Sequence, residues 1–196
     1  MRAKNKFVCG IGVNDADYEV YTKVNGVKSA CPFYVKWKSM LERVYVQRNI
    51  EKRPSYADVH ICEQWLKFSN FKKWMENQDW PNNHLEKDII GDGKSYSPES
   101  CVFVPQHINS FINEHKNASG EWPTGVSKRE RSKIKKFEAH CNVDINGKRV
   151  KKFLGSFLTP QEAHQAWRDE KLKQAKILAE SLQDKRIAKA LIDRYS

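Results

Sequence analysis

The stretch that decides the fold of the N-terminal half is residues 84–109, HLEKDIIGDGKSYSPESCVFVPQHIN. Its apolar residues predict a strand over Leu85–Ile90 and a second strand over Cys101–Val104. Between them, Gly91–Pro98 is rich in turn-forming residues, and a helix is expected to begin near Pro105. The stretch is therefore predicted to form a strand, a loop, a second strand and a helix, in that order.

Acidic and amide side chains on these elements form a candidate metal site. Glu86 and Asp88 are two residues apart on the first predicted strand, so they share a strand face, and Asn109 lies on the predicted helix. Carboxylate and amide oxygens suit a hard divalent cation, which would stabilise the charge that develops during phosphodiester hydrolysis. The spacing alone favours the alternative, in which Glu86 and Asp88 are exposed strand acids and Asn109 is an ordinary helix residue.

Basic residues are concentrated in the C-terminal part of this 196-residue chain, whose net charge is +11. Residues 1–116 contain 17 Lys and Arg against 14 Asp and Glu, whereas residues 117–196 contain 18 against 10, so their net charges are +3 and +8. The segment KRERSKIKK, residues 128–136, has six basic residues and one acid. This distribution predicts a polyanion as partner, and a solvated basic surface without a ligand is the alternative.

Membrane and secretion signals are not found in the sequence. It has no apolar run near the roughly 18 residues of a membrane-spanning helix, and its first ten residues, MRAKNKFVCG, lack an apolar signal core. We therefore expect a cytoplasmic protein without a membrane partner.

The five cysteines are odd in number and include no C-x-x-C pair, which favours reduced thiols. A zinc site made from Cys31, Cys62, Cys101 and one histidine is the alternative. Their spacings match no zinc signature, so we expect buried structural thiols and no zinc cofactor.

The segment before residue 84 is predicted to contain a hairpin that turns at residues 14–17, with a second turn at Asn25-Gly26. A helix from Pro32, a loop over Arg48–Ser55 and a strand over Val59–Cys62 follow. A further helix carries an aromatic stripe, which its helical spacing identifies as core rather than a base-stacking surface: Trp65, Phe68, Phe71 and Trp74.

The C-terminal part begins after a predicted linker at residues 117–123. Residues 137–145 alternate between apolar and polar without exception, which predicts a half-buried strand. Asn146-Gly147 is a preferred hairpin turn, and Lys148–Phe157 is the expected return strand. Thr159 followed by proline, with Glu162 three residues later, predicts a capped helix whose tail continues through residues 172–196.

The N-terminal part resembles the HNH endonuclease-like proteins of bacteriophages, including the homing-type enzymes. The resemblance is carried by CPFYVKWKSMLERVY (31–45), VHICEQWLKFSNFKKWM (59–75), LEKDI (85–89) and YSPESCVFVPQHIN (96–109). It implies a ββα-metal (HNH-like, His-Me finger) domain over residues 1–116 that cuts or nicks duplex DNA with Mg²⁺ or Mn²⁺. By this resemblance Glu86 and Asn109 bind the metal, Lys87 occupies the general-base position, and Ser100 occupies the position of an asparagine that holds the loop.

The sequence departs from the family pattern at the position of the general base. Members usually have Asp-His on the first strand, whereas this chain has Glu86-Lys87, and a lysine is a poor base unless it is strongly desolvated. His84, which shares strand-face parity with Glu86 and Asp88, or His107 would substitute as the base. Otherwise the catalytic site is impaired.

The C-terminal part resembles the Apetala-two/ERF DNA-binding domain. The resemblance is carried by Gly125-Val126, KFEA (136–139), FLGSFLTPQEA (153–163) and Trp167. It implies, for residues 124–196, a three-stranded antiparallel sheet packed on one helix, with the sheet in the DNA major groove. The expected contacts to phosphates and bases are the basic residues Lys128, Arg129, Arg131, Lys133, Lys135, Lys136, Lys148, Arg149 and Lys151.

These observations predict a two-domain α+β protein. The leading functional hypothesis is a phage-encoded, DNA-binding HNH endonuclease that acts on duplex DNA. The alternatives are a catalytically impaired HNH-derived protein that binds DNA for regulation, and a factor whose main partner is a host or phage protein.

Overall fold

The computed structural model describes residues 6–113, 121–130, 134, 136–145 and 148–196. The described residues contain small sheets and six α-helices, which confirms the predicted α+β class. The chain forms two compact units, Met1–Gln106 and His107–Ser196, and each is described by itself. The division falls within the first predicted domain, and residues 117–120 of the predicted linker lie outside the described part.

The N-terminal unit contains eight short strands in its described residues. They are β1 (Lys6–Val8), β2 (Gly12–Asn14), β3 (Tyr21–Val24), β4 (Val27–Ala30), β5 (His60–Ile61), β6 (His84–Glu86), β7 (Ser95–Tyr96) and β8 (Val102–Val104). The pairs β1–β2, β3–β4 and β6–β8 are antiparallel, and β5–β7 is parallel. No sheet described in this unit has more than two strands, so its helices must supply most of the core.

Three α-helices accompany these strands: α1 (Pro32–Tyr45), α2 (Gln47–Lys52) and α3 (Phe68–Met75). The prediction of a loop over Arg48–Ser55 is wrong for its first part, which belongs to helix α2. Its side chains are half-buried or exposed, so it lacks the apolar period on which a sequence-based prediction depends. The Asn49 amide donates to the carbonyl oxygen of Glu42 at 2.8 Å and fixes this short helix to the end of α1.

The first hairpin turns earlier than predicted. β1 and β2 are joined through Cys9 and Gly10, which have φ angles of 53° and 77°, and not through residues 14–17. Asp15 instead accepts hydrogen bonds from the backbone N–H and hydroxyl of Ser69, at 2.9 and 2.6 Å, at the start of α3. The second turn is confirmed at Asn25-Gly26, between β3 and β4.

The core of this unit is aromatic. Trp37 on α1 is fully buried, and its indole N–H donates to the carbonyl oxygen of Trp65 at 2.6 Å. Trp65, Phe68 and Phe71 have exposed fractions of 1% or less. The aromatic stripe is therefore core, as predicted, and it joins α1 to α3.

The C-terminal unit is a three-stranded antiparallel sheet with helices. Its elements are α4 (Gln106–Asn113), β9 (Val126–Lys128), β10 (Phe137–Ile145), β11 (Lys148–Phe157), α5 (Pro160–Ser181) and α6 (Lys185–Asp193). The strand order is β11-β10-β9, and α5 packs against β10 and β11. The predicted strands over 137–145 and 148–157 are confirmed, while the predicted turn at Asn146-Gly147 lies outside the described residues.

Helix α5 begins as the sequence predicts. Thr159 accepts from the backbone N–H of Glu162, the Glu162 carboxylate accepts from the backbone N–H of Thr159, and Pro160 is the first helical residue. The predicted continuous tail is interrupted after Ser181, where Asp184 caps the separate helix α6. No described helix is long and apolar enough to cross a membrane.

Candidate functional site

The first candidate site surrounds the end of β6. The strand stops at Glu86, so the prediction of a strand over Leu85–Ile90 is too long. The Glu86 carboxylate explains the early end, because its Oε1 accepts the backbone N–H groups of Lys87 and Asp88 at 3.1 and 3.0 Å. Of His84, Glu86 and Asp88, whose parity predicts one strand face, His84 and Glu86 lie on β6 and are half-buried, whereas Asp88 lies beyond the end of the strand.

Lys87 turns inward instead of facing a substrate. Its exposed fraction is 5%, and its ammonium donates to Asp88 Oδ1 at 2.5 Å and to the carbonyl oxygen of Gly93. The same ammonium lies 5.1 and 5.8 Å from the ring centres of Tyr56 and Tyr96. These contacts give Lys87 a structural role in the loop, and a protonated amine so held has no lone pair with which to accept a proton.

The loop between β6 and β8 is held by serines. The Ser100 hydroxyl donates to the carbonyl oxygen of Ser95 at 2.7 Å and accepts from the backbone N–H of Ser97 at 3.0 Å. A Cβ at Gly91 would come within 2.7 Å of the Ser100 Cβ, so the loop is closely packed at this point. Ser100 thus links Ser95 and Ser97 within the loop. The resemblance assigns such a loop-holding role to an asparagine. Cys101, next in the chain, is buried, and this burial raises the pKa of its thiol to about 12.

Asn109 and His107 lie on α4, and the compact unit that contains them does not include Glu86. Asn109 Oδ1 accepts from the side-chain amide of Asn113 at 2.6 Å, and His107 is exposed. Among the described residues, no three His, Cys, Asp or Glu side chains are grouped as metal ligands. All five cysteines are described, and none forms a disulfide. The predicted metal site of Glu86 and Asn109 stays a prediction.

We expect Lys87→Ala to lower the free energy of unfolding by about 2 kcal/mol, because it removes the buried ammonium that donates to the Asp88 carboxylate and the Gly93 carbonyl oxygen. The loss is smaller than for a fully enclosed pair, since the Asp88 side chain is 18% exposed. Chemical denaturation of the full chain measures it. Lys94→Ala, which removes an exposed lysine from the same loop, is the matched control and should change stability by less than about 0.5 kcal/mol. Equal stability of the two variants would contradict a structural role for Lys87.

The second candidate site is the face of the C-terminal sheet opposite α5. On β10, Ala139, Cys141 and Val143 are buried towards the helix side, so the residues between them point the other way. Cross-strand partners share a face, and the register extends this set to the neighbouring strands. The resulting surface, called the open face here, consists of Ser127, Glu138, His140, Asn142, Asp144, Arg149, Lys151, Phe153 and Ser156.

The predicted DNA-contacting residues do not all lie on one surface. Arg149 and Lys151 are exposed on the open face, opposite Asp144 and Asn142 in the register, whereas Lys148 has the opposite strand parity. Arg129, just after β9, forms an ion pair of 3.2 Å with Glu138. The other described members, Lys128 and Lys136, are exposed, and Arg131, Lys133 and Lys135 lie outside the described residues.

Phe153 and His140 of the open face were not among the predicted DNA-contacting residues. Phe153 is 55% exposed, and its ring centre lies 5.4 Å from that of His140 across the strand pair. Burial, followed by the charge of Lys151, lowers the pKa of His140. The register shifts between Ala139 and His140, which leaves Leu154 as an extra residue of β11. Alternation counted from Lys151 places Phe153 on this face, so the sequence pattern could have found it. The register shift itself, at Leu154, could not be read from the sequence.

A cleft of about 260 Å³ adjoins the open face where β10 extends past the short strand β9. Its lining includes the polar residues Ser127, His140, Asn142 and Lys151, and also Trp167 of α5. A comparison with protein-family models, curated proteins and solved structures finds no match for this chain.

Proposed function

We propose that this protein binds duplex DNA through the open face of its C-terminal sheet. The observation that carries the proposal is the position of Arg149 and Lys151, which are exposed on the sheet face that no described helix covers. A twisted antiparallel sheet of this kind fits a B-DNA major groove, as the resemblance to the Apetala-two/ERF domain implies.

The composition of the open face supports a groove-binding role. The two cations can contact phosphates or guanine, Asn142 and Ser127 offer donors and acceptors, and Phe153 offers an apolar surface. The acids Glu138 and Asp144 limit purely electrostatic attraction, and Glu138 already pairs with Arg129. Such a mixed surface favours directed contacts to base edges over a uniformly basic patch.

The proposal predicts a steep salt dependence of binding, because phosphate contacts release condensed cations. The full chain with a short fluorescent duplex, titrated by anisotropy at several salt concentrations, measures the slope of log K against log salt. We expect a slope of about −4.5 to −5.4, which corresponds to roughly five or six neutralised phosphates at about 0.9 each. An affinity that is undetectable, or one that does not change with salt, would contradict DNA binding.

A second candidate function is metal-dependent hydrolysis of the bound DNA at β6, in line with the HNH resemblance. The observation that favours it is the shared strand face of His84 and Glu86. The described hydrogen bonds to the Glu86 carboxylate fall on Oε1, so Oε2 would be the oxygen that holds a Mg²⁺ or Mn²⁺ ion. His84 is then the candidate general base, while Lys87 is engaged in the loop.

If this site is catalytic, nicking of supercoiled plasmid should require Mg²⁺ or Mn²⁺. Glu86→Gln keeps an oxygen acceptor for the loop N–H groups but removes the charge, and it should abolish nicking. His84→Ala should slow nicking by about 10²–10⁴-fold, the range for a lost general base. Glu99→Ala, an exposed acid in the same loop, is the control and should stay active.

A wild type that nicks no DNA with either ion would leave DNA binding as the function. The protein would then be a catalytically impaired relative of the nucleases, for which a regulatory role or a host or phage protein partner fits. The binding experiment distinguishes these outcomes, since it does not depend on cleavage.

A further inference from the structure

Phe153 is an apolar side chain on an otherwise polar surface. Among the residues that define the open face it is the one large hydrophobic residue, and it is 55% exposed. A contact that removes its ring from water is favourable. Because isolated apolar residues are common on protein surfaces, the neighbours of Phe153 decide what it can contact.

The nearest ring is that of His140, directly opposite Phe153 on β10. The two ring centres are 5.4 Å apart, with a tilt of 54° between the rings. Burial, followed by the charge of Lys151, lowers the pKa of His140, so the imidazole is mainly neutral near neutral pH. The pair is therefore an uncharged aromatic platform on the open face, and the half-buried imidazole supports the exposed phenyl ring.

A cation accompanies this platform. Lys151 is two residues before Phe153 on the same face of β11, and it is exposed. Opposite Lys151 in the register is Asn142, and opposite Phe153 is His140, so neither has an acidic residue directly across from it. An apolar group that belongs to a polyanion suits this combination better than a wholly apolar partner surface does.

We propose that Phe153 contacts the C5-methyl group of a pyrimidine in the DNA major groove, and thereby favours sites with thymine or 5-methylcytosine at that position. The inference rests on the proposed function, and it names the base feature that the open face reads. The thymine methyl is exposed in the major groove, where apolar side chains contact it. 5-Methylcytosine carries its methyl group on the same ring carbon.

The spacing on β11 fits this arrangement. Residues two apart on a strand are about 7 Å apart, which is roughly half of the 12 Å width of the major groove. Phe153 can therefore face the base edges while the longer side chain of Lys151 contacts a phosphate at the wall of the groove.

The test first selects a tightly bound duplex from a random pool with the full wild-type chain. Its affinity is then compared with that of the same duplex in which uracil replaces every thymine, a change that removes only methyl groups. The wild type should bind the uracil duplex about 4-fold more weakly for each contacted methyl group, the factor expected for burial of one such group. Phe153→Ala should bind the thymine duplex more weakly and should bind both duplexes equally.

Two variants are the controls. Phe153→Leu retains an apolar side chain and should keep the preference for the methylated duplex. Ile177→Ala removes an exposed apolar residue from α5, where 67% of the residue is accessible, and should keep the affinity and preference of the wild type.

A third duplex, with 5-methylcytosine in place of every cytosine, distinguishes the two sources of the methyl group. If thymine is the source, only the uracil replacement changes wild-type affinity. If 5-methylcytosine is the source, the third duplex binds more tightly, the uracil replacement has no effect, and Phe153→Ala loses the gain.

Equal wild-type affinities for the three duplexes would overturn this inference while leaving the proposed function intact. A methyl preference that persists in Phe153→Ala would also overturn it, because another residue or the shape of the DNA would then be its cause. The same holds if both Phe153 variants lose the preference together with a lowered melting temperature, since the ring would then act in folding. A wild type without salt-dependent binding to any duplex would refute the proposed function itself.

Discussion

Arg149→Glu/Lys151→Glu is expected to weaken binding to duplex DNA by about 100-fold at moderate salt. The change replaces two cations of the open face with anions, which removes their phosphate or base contacts and adds repulsion from the DNA backbone. Arg149 lies opposite Asp144 in the register, so the new carboxylate also adds to an existing negative charge. Fluorescence anisotropy with a labelled duplex measures the change.

The matched control is Lys173→Glu/Lys176→Glu, which makes the same change in net charge on the exposed side of α5. Global charge alone would weaken both variants alike, whereas a binding face on the sheet predicts a much larger loss for the first. Because all four lysine and arginine side chains are exposed, thermal unfolding should stay close to that of the wild type. Similar losses of affinity in the two variants would contradict a binding surface on the open face.

Gly125→Ala is expected to destabilise the C-terminal unit by about 2–4 kcal/mol, from backbone strain and overpacking together. Gly125 has a φ angle of +82°, which an alanine adopts at a cost. A Cβ at this position would come within 2.2 Å of Trp167 Cδ1 and 2.4 Å of its Cγ. These atoms belong to a side chain that is only 6% exposed, so they have little room to move.

Gly10→Ala separates the two causes. Gly10 has a similar φ angle of +77°, but a Cβ there meets nothing within 4 Å, so the change should cost only the strain, about 1 kcal/mol. Hydrogen exchange of amides in β10 reports the stability of the C-terminal unit directly. A Gly125→Ala variant whose β10 amides exchange as slowly as those of the wild type would contradict the close packing of this turn on Trp167.

Strong local patterns in the sequence were enough to predict two strands of the C-terminal sheet and the start of the helix that follows them. Nine alternating residues specify β10, and the cap at Thr159 specifies the start of α5. These signals act within one element, so no distant contact is needed to interpret them. The same holds for α1, whose apolar face follows the helical period.

The predictions that failed depend on contacts between residues that are distant in sequence, or on side chains that take the place of a backbone hydrogen-bond partner. The strand β6 ends early because the Glu86 carboxylate takes the next two N–H groups, which residue type alone does not indicate. Burial of Lys87 depends on Gly93 and on two tyrosines from other segments. The polar helix α2 has no periodic pattern of apolar residues from which the sequence could predict it. Polar contacts of this kind are set by the folded chain and could not be read from the sequence.

The measurement that tests the central claim most directly is nuclear magnetic resonance of the full chain with and without a short duplex. DNA binding through the open face predicts shifts of the backbone and side-chain signals of Ser127, Asn142 and Lys151, while those of Lys173 and Lys176 on α5 stay in place. Shifts confined to α5, or to the N-terminal unit, with the open-face signals unchanged, would contradict the account.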